Sequence, residues 1–114
     1  MYYPNYLEFY QKALIPIGAN DQKSLLMKGI PVDSDSSHWL IALDGNPVKK
    51  KRRAYIYTWR VAIFQVNSEG YCLLKQPYYV SESYHDFEEA YEEAKELERA
   101  IHCDHFVSVP QLQN

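Results

Sequence analysis

A chain of 114 residues, 46% hydrophobic and 24% charged, is long enough for one domain with its own core, and these proportions exclude wholesale disorder. The formal net charge of −3 excludes a protein whose entire surface is an electrostatic footprint for nucleic acid. No apolar run approaches a membrane span, and Met1-Tyr-Tyr-Pro-Asn-Tyr has neither the basic nor the apolar stretch of a secretory signal, so a cytoplasmic protein is expected.

In chain order, Pro4 to Leu14 reads as a first helix. Tyr3, Leu7, Tyr10 and Leu14 recur at spacings of four, three and four, and Pro16 and Gly18 end the pattern. Residues 19 to 37 are the least legible: Ser24 to Lys28 suits a helical turn or a short strand, and Gly29 to Ser37 reads as a loop. From His38 the period changes to two. Trp39 to Leu43 is a short apolar strand, stopped by the turn-forming cluster Asp44-Gly45-Asn46-Pro47. Arg53 to Val66 is the longest strand, and because both its faces are partly apolar it is expected to be central.

Asn67-Ser68-Glu69-Gly70 reads as a hairpin loop, with Tyr71 to Lys75 returning antiparallel. Pro77 bulges or ends that strand and suits a sheet edge, after which Tyr78 to Ser81 resumes pairing. Asp86 is the N-cap of a last helix, with Glu89 completing a capping box. Phe87, Ala90, Tyr91, Ala94, Leu97, Ala100 and Ile101 then form one stripe at helical spacing, which predicts burial of Phe87, Tyr91, Leu97 and Ile101 against the sheet. Phe106 to Val109 is a candidate fourth strand closed by Pro110.

One α+β domain over 1–114 accounts for this order: a two-layer fold in which a three- to four-stranded, mainly antiparallel meander is covered by a C-terminal amphipathic helix, with an additional N-terminal helix. The order helix, three strands, helix resembles that of the double-stranded RNA-binding module, in order only. Such modules grip phosphates with lysines at the start of their last helix, where this chain has Asp86-Phe87-Glu88-Glu89.

Charge is segregated along the chain. Five of 12 cations are Lys49, Lys50, Lys51, Arg52 and Arg53, whereas eight of 15 anions lie between Glu82 and Glu98. The basic run has two readings: a phosphate-contacting patch beside aromatics that stack on bases, or a solvated hairpin loop, and the second is favoured. Glu88, Glu89, Glu92, Glu93 and Glu96 form either a negative ridge for a basic partner or a soluble outer face. Eleven tyrosines suit half-buried sheets and binding surfaces alike, and Tyr55, Tyr57, Trp59, Tyr78 and Tyr79 are the contact candidates.

Signals for chemistry are weak. His102, Cys103, Asp104 and His105 have metal-ligand types but adjacent positions, which diverge, so no metal and no cofactor is expected. Cys72 and Cys103 are expected to be free thiols, mostly buried, without the signature of a nucleophile. The pattern favours a non-enzymatic protein-binding domain, an adaptor or inhibitor of the kind that phages and plasmids direct at nucleic-acid machinery. The partner is expected to be another protein, of a basic nucleic-acid-binding type if the ridge is the contact. Direct nucleic-acid binding through Lys49 to Arg53 is the alternative, a homodimer through a tyrosine-bearing strand edge is a further candidate, and no membrane partner is expected.

Overall fold

The computed structural model describes the backbone of residues 14–51, 54–72 and 76–107, with side chains described outside 47–51 and 54–56. Its elements are β1 (Ile15–Pro16), α1 (Ala19–Met27), β2 (His38–Lys51), β3 (Ala54–Val66), β4 (Tyr79–Val80) and α2 (Phe87–His102). The strands form one antiparallel meander in the order β1-β2-β3-β4, so the domain is the expected two-layer α+β fold with β3 inside the sheet. The helix expected over Pro4 to Leu14 lies outside the described residues except for Leu14, which is irregular. The described N-terminal helix is α1, in the stretch whose pattern is least legible.

Alternation in β2 and β3 builds the core. Trp39, Ile41 and Leu43 face the helices together with Val61 and Ile63, and Ala90, Ala94 and Ile101 of α2 and Leu25 of α1 close over them. Each fully buried side chain among Leu25, Ile41, Leu43 and Ile63 contributes about 1.5–3 kcal/mol. Leu40, Ala62, Phe64 and Val66, from the opposite positions of the same strands, form a second buried cluster with Cys72, and Leu14 packs against it. Two apolar sides to β3 follow from its central place.

The expected turn at Asp44-Gly45-Asn46-Pro47 is instead strand. Asp44 pairs with Arg60, Gly45 with Trp59, Asn46 with Thr58 and Pro47 with Tyr57, and a register shift follows between Pro47 and Lys49. Cross-strand chemistry overrides turn propensity here. Asp44 accepts a hydrogen bond from Arg60 Nη2 at 3.0 Å, Gly45 makes room for the Trp59 ring, and Pro47 sits where the ladder is already interrupted. The pairing thus continues as far as Lys51 and Ala54.

The loop at 67–70 forms as expected. Gly70 has φ +90°, and Asn67 Oδ1 accepts the N–H groups of Glu69 and Tyr71 at 2.9 and 3.0 Å. Of the expected return strand, Tyr71 and Cys72 are irregular and 73–75 lie outside the described residues, while Tyr79–Val80 pair opposite Ile63 and Ala62. Beyond it, Ser81 Oγ accepts the Val61 N–H at 2.8 Å, and Tyr84 exchanges backbone bonds with Trp59. Phe106 and Val107, expected as strand, are not, and 108 and 109 lie outside the described residues. The fourth strand is β1, where Pro16 is tolerated because it lies at the sheet edge.

Helix α2 starts where its cap predicts. Asp86 accepts from the Glu88 N–H at 3.1 Å, so the donor is the second helical residue rather than Glu89. Of the predicted stripe, Ala90, Ala94 and Ile101 are buried, Tyr91 and Leu97 are half-buried, and Phe87 is 37% exposed. Phe87 sits in the first turn, where the helix only begins to cover the sheet.

Two aspartates lock α1 to the turn that follows α2. Gly18, the N-cap of α1, has no side chain to offer, and the Asp104 carboxylate fills the space that a Cβ there would need. Asp104 Oδ2 accepts from the Asn20 N–H and Oδ1 from the Asp21 N–H, both at 2.8 Å, while Asn20 Nδ2 donates to the Asp104 carbonyl at 2.9 Å. In return, Asp21 accepts from Phe106 N–H at 3.2 Å and Val107 N–H at 2.9 Å. Asp104 holds its place with φ +61°, a conformation aspartate visits more readily than most residues.

Asp21 is wholly buried, and burial raises its carboxyl above the ordinary value of 3.8; the Val107 and Phe106 N–H groups oppose the rise, Asp104 adds to it and His105 opposes it. A raised folded value means that this group's stabilising contribution is complete below the ordinary value and is lost as pH rises through the raised one. Asp21→Asn keeps an acceptor and removes the ionisation. The urea midpoint of Asp21→Asn relative to wild type is therefore expected to rise with pH across that window; midpoints that stay parallel would contradict the assignment.

Candidate functional site

A row of aromatic rings crosses from the sheet to α2. Its origin is Gly45: a Cβ there would lie 2.5 Å from Trp59 Cζ3, so glycine lets the indole of the cross-strand partner lie over the β2 backbone. Tyr57 stacks on Trp59 with centroids 5.9 Å apart and planes at 24°. Phe87 meets the indole edge-on, at 5.0 Å and 85°, and Tyr91, one turn on, stacks on Phe87 at 6.2 Å and 15°. Lys95 Nζ lies 5.5 Å from the Tyr91 ring, within cation–π range. Tyr57 and Phe87 are 41% and 37% exposed, so the row is anchored at Trp59 and open to solvent at those two rings.

Backbone segments of opposite charge adjoin the row. Lys49, Lys50 and Lys51 end β2, opposite Ile56, Tyr55 and Ala54, starting within two residues of the Pro47–Tyr57 pair. Arg52 and Arg53 lie outside the described residues. Helix α2 carries six glutamates against Lys95 and Arg99. Glu88, Glu89, Glu92 and Glu96 are exposed. The pairs Glu92–Lys95 at 3.9 Å and Glu96–Arg99 at 2.7 Å are surface contacts of little energetic weight, so they do not cancel the ridge.

Three of the sequence candidates stand apart from this row. Tyr78 and Tyr79 enclose Phe106, with centroids 5.8 Å from it in both cases, and Tyr78 also lies 5.2 Å from Trp39. They pack the C-terminal segment onto the sheet and are half-buried. Glu93 is half-buried too, and with Glu82 it adds to the burial that raises the Tyr79 and Tyr84 hydroxyls, so it faces β4 rather than the outer ridge. Conversely, Phe87 and Tyr91 join the row although their spacing marks them as core. The aromatic character of a first-turn residue was the available signal.

Asp104 caps α1, and among the described residues no group of three or more His, Cys, Asp or Glu could hold a metal ion. Cys72 is buried, which pushes its thiol up and away from the reactive thiolate, whereas Cys103 is exposed, contrary to expectation. Both are free. Among the described residues no helix is long and apolar enough to cross a membrane.

The segment α1-β2-β3-β4-α2 keeps the order helix, three strands, helix, with β1 before it and an exposed Glu88 and Glu89 where a phosphate grip would start. No family model matches the chain, and neither a curated protein nor a solved structure matches it significantly.

Proposed function

We propose that this protein is a non-enzymatic protein-binding domain, an adaptor or inhibitor, which engages a basic protein through the Tyr57–Trp59–Phe87–Tyr91 row and the Glu88, Glu89, Glu92 and Glu96 ridge beside it. The observation that carries the reading is the exposure of Tyr57 and Phe87, both of which pack against the Trp59 indole. Rings fixed by stacking lose little freedom on contact, and aromatic anchors of this kind dominate binding energy at interfaces. The neighbouring carboxylates select a positively charged partner and speed encounter with it. A nucleic-acid-handling protein presents such a surface, and occupying it would inhibit by competition, the strategy expected of a phage- or plasmid-type inhibitor.

The test is partner capture from the native host, followed by affinity measurement. Tyr57→Ala and Phe87→Ala are each expected to weaken binding by about tenfold or more, which is ~1.4 kcal/mol. Charge reversal at Glu88 and Glu92 is expected to slow association most at low salt. Affinity unchanged by all four substitutions would overturn the reading.

A second reading rests on the placement of Lys49, Lys50 and Lys51 next to the stacked Tyr57 and Trp59, an arrangement suited to single-stranded nucleic acid. It requires oligonucleotide retention that falls steeply with salt and is lost when the five cations from Lys49 to Arg53 become alanine. Oligonucleotide binding that outcompetes the protein partner would favour this reading over the first.

A further inference from the structure

At the other end of the sheet, a cavity of about 310 Å³ opens between the 30–36 loop, Gln65 of β3 and the segment 76–78. Gln65 is six residues beyond Trp59, about 20 Å along an extended strand, so this cavity is separate from the aromatic row. Its size is at the lower end of small-molecule sites.

The wall of the cavity is built rather than incidental. Asp33 Oδ1 accepts from the Asp35 N–H at 2.9 Å and from Ser36 Oγ at 3.0 Å, and the Ser36 N–H returns to the Asp33 carbonyl at 3.1 Å. Gln65 Nε2 then ties the loop to the sheet through the Pro31 carbonyl at 3.2 Å and the Ser36 carbonyl at 3.4 Å. A loop bonded in this way holds its shape before a ligand arrives, which lowers the ordering cost of binding.

The lining specifies a chemistry. Pro31, Pro77 and the Tyr78 ring supply apolar surface, while Asp33 and Asp35 supply two carboxylates and Gln76 an amide. Both bonds that the Asp33 carboxylate accepts in the turn fall on Oδ1, and Asp35 contributes only its backbone N–H, so Asp33 Oδ2 and the Asp35 carboxylate are outside the turn's own bonding. Among the described residues no cation lines the cavity; Lys28 Nζ lies 3.5 Å from the Tyr78 hydroxyl but is not part of the lining. Carboxylates beside an aromatic and proline wall attract a positive charge carried on a flat apolar body. We infer that this cavity is a binding site for a small organic cation of the amidine, guanidine or aryl-amine class.

The experiment is an amide NMR titration of the full chain with benzamidinium as the probe and benzoate as its anionic counterpart. Benzamidinium is expected to give saturable shifts at the Gln65 and Gln76 side-chain amides and at the Tyr78 backbone amide, with Kd of about 1 mM, as suits a fragment of its size. Benzoate is expected to give none. Asp35→Asn, which leaves every turn bond in place, is expected to weaken benzamidinium at least ~5-fold. The proposal is overturned if benzamidinium fails to saturate, if its shifts map to the glutamates of α2, if benzoate binds equally, or if Asp35→Asn binds as wild type does.

Discussion

Replacing Asp21 with alanine is expected to lower folding stability by about 2–4 kcal/mol, because the Phe106 and Val107 N–H groups lose their acceptor and each orphaned donor costs about 1–3 kcal/mol. Val107 is 2% exposed, so water cannot replace the carboxylate without opening the packing. The gain from no longer burying an acid offsets part of this cost, which keeps the sum below the two penalties combined. Asp104→Ala removes the opposite half of the lock and is expected to cost less, about 1–2 kcal/mol, since one of its two donors is on exposed Asn20. The two residues share one network, so the double variant is expected to be less destabilised than the sum of the singles. Urea unfolding of the four chains measures all of this, and strict additivity would show that the two ends dock independently.

Gly45→Val is expected to cost about 2–3 kcal/mol, toward the upper end of overpacking penalties, even though the position is in a β-strand where valine is otherwise favoured. A Cβ at residue 45 would lie 2.5, 2.8 and 3.0 Å from three carbons of the Trp59 ring. The indole cannot yield cheaply, being packed against both Tyr57 and Phe87. Its displacement breaks the row, so affinity for the proposed partner is expected to fall although Gly45 itself is buried. Trp59 emission reports the movement, and Trp39, fully buried, supplies the unshifted reference. Wild-type stability with unshifted emission would show that the ring has room to move and that the row is not fixed by this glycine.

The helical stripe from Phe87 to Ile101 and the period-two run from Arg53 to Val66 were legible because each element's own hydrophobic period dictates its buried side. What resisted reading depends on cross-chain partners. Asp44-Gly45-Asn46-Pro47 has turn chemistry at every position, yet Arg60 and Trp59 on the facing strand turn it into ladder. The start of α1 carries no capping side chain of its own, because its cap arrives from Asp104, 84 residues from Asn20. Equally, Tyr78 and Trp59 are the same kind of residue in the sequence, and only Phe106 beside one and Gly45 beneath the other separate packing from display. The charges of the ridge were readable from helical spacing, and the same spacing puts Glu93, three residues after buried Ala90, on the flank of the buried stripe and not on the outer face.

The central claim is that the rings of Tyr57 and Phe87 contact a protein partner, and site-specific photo-crosslinking in native-host lysate tests it most directly. With p-benzoylphenylalanine at position 57 or 87, a single protein adduct is expected, competed by excess wild-type chain. At position 26, exposed on α1, and at position 78, packed against Phe106, no such adduct is expected. Adducts from 26 or 78 with none from 57 or 87 would contradict the account and move the binding surface to another part of the fold.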